Sequence, residues 1–166
     1  MKAFFERNII LAESTDERKD PKKPKGTYCA LRLSDQTKRE IGAFLRSTGM
    51  SKVTTPIGAD DMHCTLIYSR IHHPDMAPAP EAEHPATFRG YAVYHKSLVM
   101  VLDAESTESR HRELMAKHGC TYDFATYNPH VSIAYDIEPG FNVLSLPAYP
   151  HPIVLTGEYT EDLSDD

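Results

Sequence analysis

Apolar runs of seven or eight residues, bounded by polar or proline-bearing stretches, recur along this chain, and two longer stretches carry a helical period instead. Residues 27–33 and 62–69 read as strands. Ser34 is placed to cap a helix running to about Thr48, with Ile41, Phe44 and Leu45 on one face and Gly49 as its stop. Residues 87–94 and 97–103 read as a hairpin pair. Ser106 is expected to cap a second helix, in which His111, Leu114, Met115 and His118 fall at i, i+3, i+4 and i+7 and Gly119 ends the run. Residues 130–136 and 152–159 complete the strands. Residues 3–12 predict a short helix or strand, and the polar, proline-punctuated stretch 14–25 a linker without regular structure. Residues 72–85, with Pro74, Pro78, Pro80 and Pro85, predict a loop or a connection between lobes.

The order strand, helix, strand therefore occurs twice, over 27–69 and again over 87–136. It predicts an α+β protein of two similar lobes facing each other across a cleft. A single domain over 26–160 is expected, preceded by an extension at 1–25 and followed by an acidic tail at 161–166.

Composition narrows the function classes. The 166 residues suffice for one domain with its own core, and the apolar and charged fractions of 40% and 25% are those of a globular protein. No stretch approaches the 18 or so consecutive apolar residues of a membrane span, and the apolar run at 8–12 is too short for the core of a secretory signal. A cytoplasmic location is expected. Cys29, Cys64 and Cys120 are odd in number and widely spaced, which reads as buried thiols of a reducing compartment rather than a disulfide frame or a zinc site. A net charge of −6 argues against a long nucleic acid gripped through many phosphates. Glu158, Glu161, Asp162, Asp165 and Asp166 supply most of that charge, in what reads as a solvated, frayed end. A local site for a few phosphates remains compatible with the remainder.

The chemistry lies in two tetrapeptides, His63-Cys64-Thr65-Leu66 and His130-Val131-Ser132-Ile133. Each is histidine, apolar, hydroxyl, apolar. In a strand, alternation puts His63 and Thr65 on one face with Cys64 and Leu66 on the other, and does the same for His130 and Ser132. If the two strands lie side by side, two imidazoles and two hydroxyls share a cleft floor. Such tetrapeptides should arise about 0.2 times by chance in a chain of this composition, so a pair is informative. A third His-x-Ser, His95-Lys96-Ser97, has a charged middle residue and reads as a decoy. Cleaving a ribose phosphodiester needs one group to take the 2′-hydroxyl proton and another to protonate the leaving 5′-oxygen, and imidazole does either near neutral pH. Hydroxyl donors can hold the phosphate oxygens, so no metal or cofactor is required. His72, His73 and His84 lack ligand spacing, and the positions of His111 and His118 beside Leu114 and Met115 favour packing.

The paired motif resembles that of the 2H phosphoesterase superfamily. More narrowly, residues 26–33, 63–70 and 156–159 resemble the bacteriophage anti-CBASS nucleases, with the similarity spanning about 26–160. The resemblance implies a two-lobed fold of antiparallel sheets with pseudo-two-fold lobes around a central cleft. It also implies metal-independent cleavage of cyclic di- or trinucleotide signals inside an infected bacterial cell. Carried over by position, His63, Thr65, His130 and Ser132 are catalytic, Tyr28 and Tyr94 stack on bases, and Glu158 contacts a base. For the tyrosines an amphipathic position at the core edge is the alternative. Two other functions stay open: a 2H enzyme acting on RNA ends, and a protein that sequesters the nucleotide uncut. Which histidine is acid and which base also stays open.

Overall fold

A computed structural model describes residues 24–50 and 55–164; the segment expected at 3–12 and most of the linker lie outside them. β1 (Gly26–Leu33) leads into α1 (Asp35–Ser47), whose first turn is capped by the Ser34 hydroxyl accepting from the Thr37 amide at 3.2 Å. Ile41 and Leu45 face the core, and the helix gives out at Gly49, which takes a φ of 73°. A two-residue β2 (Thr55–Pro56) and β3 (His63–Ser69) follow. β4 (His84–Tyr94) and β5 (Ser97–Asp103) make the expected hairpin. Its two-residue turn is His95-Lys96, at φ values of 49° and 66°. Asn-Gly normally occupies such a turn; here two ordinary residues accept a left-handed backbone at about 1 kcal/mol each.

α2 (Glu105–His118) corrects one expectation: its cap is Ala104, which offers no side-chain bond. The Ser106 hydroxyl instead meets His84 Nδ1 at 2.6 Å. Gly119 closes the helix with a φ of 64°. β6 (His130–Tyr135) and β7 (Ile153–Leu163) complete the chain. β7 also corrects the frayed end: its ladder with β1 runs as far as Gly26 opposite Leu163. Residues 84 and 85, expected in the proline-rich loop, begin β4 and pair with Leu155 and Val154.

The seven strands form one antiparallel sheet in the order β2-β6-β5-β4-β7-β1-β3. β4 hinges it. Its first three residues pair with β7, and the rest pairs with β5. This gives two four-strand lobes that share β4, with the β3 and β6 motif strands well separated in hydrogen-bonding order. They come together because the sheet folds: the Cys64 thiol lies against the backbone of His130. The lobes are not the two sequence halves. α2 follows β5 yet packs on β3, and β7, last in the chain, is inserted between β4 and β1. The core beneath contains Leu31, Ile41, Leu66, Leu102, Leu114, Ile133 and Leu155, each at most 2% exposed. Cys29 and Cys64 are buried within it, Cys120 only partly, and all three are free thiols.

Candidate active site

β3 and β6 carry the same irregularity at the same place in the motif. Ala30 opposes Thr65 and Cys29 opposes Ile67, so Leu66 is an extra residue in β3. Val99 opposes Ser132 and Leu98 opposes Ala134, so Ile133 is the extra residue in β6. Each bulge falls at the fourth position of its tetrapeptide and inverts the alternation beyond it. In β3 the cleft face thus runs His63, Thr65, then Tyr68 and Arg70, where strict alternation would have put Ile67 and Ser69. A bulge frees backbone groups that must be satisfied. The Leu66 carbonyl accepts from His111 Nδ1 at 2.7 Å, the Thr65 carbonyl from the Tyr127 hydroxyl at 2.7 Å, and the Ile133 carbonyl from the Ile57 amide at 3.0 Å. The His111 and Tyr127 rings stack at 4.0 Å and 7°, forming a rigid clamp behind β3.

The two motif histidines are set alike. His63 Nδ1 donates to the carbonyl of Asp61 at 3.1 Å, and His130 Nδ1 to that of Asn128 at 2.8 Å, in each case two residues back. A carbonyl can only accept, so both rings carry their proton on Nδ1 and have the lone pair on Nε2 when neutral. Both line a cleft of about 740 Å³, with Thr65 and Ser132 in the same wall. Burial pulls the His130 imidazole below its usual range, only partly opposed by the Asn128 bond, which keeps it neutral at physiological pH. The Cys64 thiol between the motifs is pushed up to about 11 by burial, so it is no nucleophile.

The other expected residues divide. Tyr94 lines the cleft, is 39% exposed and meets His130 edge-on at 5.3 Å. Tyr28 is 0% exposed, enclosed by the rings of His63, Tyr68 and Tyr159. It presents no face to a base; its hydroxyl lies 2.9 Å from Thr65 Oγ1. Glu158 does not reach the cleft. It is buried in an ion pair with Arg110, at 2.9 and 2.7 Å, and accepts from the Ala79 amide. The bulge in β7's pairing with β1, near Gly157, turns its carboxylate inward. The decoy His95 and Ser97 line the cleft after all, from the hairpin turn. His72, His73 and His84 bond separately to Asp162, Ser69 and Ser106, and among the described residues no three ligands converge to hold a metal. Among the described residues, no helix is long and apolar enough to cross a membrane.

Tyr68, Arg70, Asp123 and Phe124 also line the cleft, outside the residues expected from the sequence. The first two depend on the bulge. The last two lie on the irregular loop between α2 and β6, where no periodicity marks a face; Phe124 is 60% exposed in the cleft wall.

Two bulged strands bearing mirrored histidine and hydroxyl residues across a folded antiparallel sheet define the 2H phosphoesterase architecture. E. coli LigT in complex with phosphate superposes with a TM-score of 0.58 at 13% identity, covering 83% of this chain and 86% of that one. A structure described as a phosphoesterase gives 0.54 at 15%, over 83% and 84%. The profile of the family described as "Anti-CBASS protein Acb1" matches residues 25–166. Curated relatives of that name from Acinetobacter phage Ac42 and Enterobacteria phage T4 are 34% and 32% identical. The first match covers 84% of this chain and 91% of the relative, the second 85% and 90%. The chain belongs to the Acb1 family of anti-CBASS proteins and is an enzyme of the phosphodiesterase class built on the 2H fold.

Proposed function

We propose that this enzyme cleaves 3′–5′ bonds of cyclic di- or trinucleotides through attack by the substrate's own 2′-hydroxyl, without a metal. The mirrored arrangement of His63 and His130, each with Nδ1 tied to a carbonyl two residues back and each lining the same cleft beside a hydroxyl residue, supports this reading above all. His130, kept neutral by burial, is the base that takes the 2′-hydroxyl proton. The 2′-oxygen forms a bond to phosphorus as the bond to the 5′-oxygen breaks, and His63, starting protonated, gives its proton to that oxygen. The products are a 2′,3′-cyclic phosphate and a 5′-hydroxyl end; water then opens the cyclic phosphate to a 3′-phosphate with the two histidines in reversed roles. Thr65 and Ser132 donate to the non-bridging oxygens, where charge grows. The exposed rings of Tyr94 and Phe124 offer stacking surfaces for bases. The bacterial signal so destroyed is the one on which CBASS immunity depends, and the site of action is the infected cell.

The test is single-turnover cleavage of a 3′–5′ cyclic dinucleotide by wild type, His63→Ala and His130→Ala, quenched by heat before analysis. Each variant should lose at least ~100-fold in rate, the scale of a missing acid or base. The double variant should cost far less than the product, because the pair acts as a unit. Near-wild-type turnover in either variant refutes the assignment. Intact ring returned by the wild type would make the protein a sequestering one instead.

A further inference from the structure

We infer that Arg70 forms a subsite for a second phosphate, the one not being cut, and so gives the enzyme its preference for a ring; this rests on the function proposed above. Among the described residues, sixteen line the cleft; Arg70 is the one permanent cation of that set and Asp123 the one carboxylate. The β3 bulge at Leu66 is what turns Arg70 to the cleft side. It is held there by two bonds that it donates to Asp123, Nε to Oδ1 at 3.0 Å and Nη2 to Oδ2 at 2.8 Å, while its amide donates to Thr121 Oγ1 at 2.7 Å.

That pair is a poor staple. The Arg70 and Asp123 side chains are 69% and 42% exposed, and an ion pair so open to water adds little to stability. As a preformed receptor it is better suited. A guanidinium has five N–H donors in a rigid fork, and Asp123 takes two, so three remain for a ligand. Asp123 fixes the orientation of the fork beforehand, which lowers the ordering cost of binding. A cyclic dinucleotide brings two phosphates. One must sit between His63 and His130, and the other enters a cleft whose remaining groups are mostly aromatic rings and hydroxyls. A dianionic ring placed there without Arg70 would have one phosphate facing no permanent positive charge among the described residues of the cleft. A linear dinucleoside monophosphate has the scissile bond and no second phosphate.

The experiment compares those two substrates, with matched bases, on wild type, Arg70→Gln and Asp123→Ala, and measures binding of an uncleavable 2′-deoxy ring by calorimetry. Arg70→Gln should raise KM for the ring, and Kd for the deoxy ring, by about tenfold, the worth of a charged hydrogen-bonded contact. Its KM and kcat for the linear substrate should stay within about twofold. Asp123→Ala keeps the cation but frees the fork, and should raise KM for the ring by clearly less than Arg70→Gln does. Equal loss on both substrates, or the same loss in Asp123→Ala, would show a loop clasp and overturn the subsite. If wild type cuts neither substrate the proposed function fails, while the calorimetric comparison still judges Arg70.

Discussion

Replacing Tyr28 by phenylalanine separates two accounts of that residue by one atom. If the ring stacked on a base, losing the hydroxyl would cost almost nothing. The ring is instead 0% exposed, and its hydroxyl sits 2.9 Å from Thr65 Oγ1. If Thr65 donates its one proton to a phosphate oxygen, Tyr28 must be the donor in their mutual bond. The chain Tyr28 O–H to Thr65 O–H to phosphate polarises along its length, and its first link orients the second. A hydrogen bond of this kind is worth about 1 kcal/mol net, rising toward 2 where the acceptor bears charge. Felt only as charge grows on the phosphate, that translates to a fall in kcat of about 5- to 30-fold with KM little changed. Single-turnover rates at saturating cyclic dinucleotide, beside a thermal melt to confirm folding, provide the measurement. Full kcat with an unchanged KM would restore the stacking account and refute this reasoning.

Other outcomes follow from the same geometry. Tyr94→Ala and Phe124→Ala should each weaken binding by ~1–3 kcal/mol, with phenylalanine rescuing at 94, as read from KM and from the Kd of the deoxy ring. Glu158→Ala leaves Arg110 without its buried partner and should cost about 3 kcal/mol, a Tm fall of roughly 6–12 °C, while kcat below the melt stays near wild type. Loss of kcat without loss of Tm would return Glu158 to the substrate. Activity should persist in excess EDTA, and rescue by an added divalent ion after a loss would contradict the metal-free route. His84, His111 and His130 are all held below the usual histidine range, chiefly by burial. The unfolded chain therefore binds more protons than the folded one, so their contribution is full above the ordinary histidine pKa of about 6.5 and is lost as pH falls through the lowered values. Tm should drop between pH 7 and 5, and the acid limb of kcat/KM should lie below the usual histidine pKa.

The strands, both helices and the two motif histidines were legible because each rests on a local period or a short pattern. What escaped depends on register. Counting alternate residues from Thr65 cannot reveal that Leu66 is extra, because a bulge is a property of the ladder and not of one strand. One signal was present: each tetrapeptide is followed by one more apolar residue and then a tyrosine, Tyr68 or Tyr135, five places after its histidine. That shared break in alternation marks the bulge. Ser106 satisfied the cap preference, but His84, from a strand 22 residues earlier, claimed its hydroxyl. His111 packs inward as its helical spacing indicates, though its ring also closes the bulge, a role no helical spacing discloses. Glu158 looked like tail because acids cluster there, yet β-pairing with β1 carried it inside against Arg110, whose partner sequence distance hides.

The central claim, that two histidines drive attack by the substrate's own ribose, is tested most directly by one pair of substrates. A 3′–5′ cyclic dinucleotide and its 2′-deoxy counterpart are incubated with the enzyme in EDTA, and the ends of any product are determined by mass spectrometry. The ribose ring should be opened to a 2′,3′-cyclic or 3′-phosphate with a free 5′-hydroxyl, and the deoxy ring should bind and be recovered whole. Cleavage of the deoxy ring at a comparable rate, or a product bearing a 5′-phosphate, would mean that water attacks directly and would contradict the account.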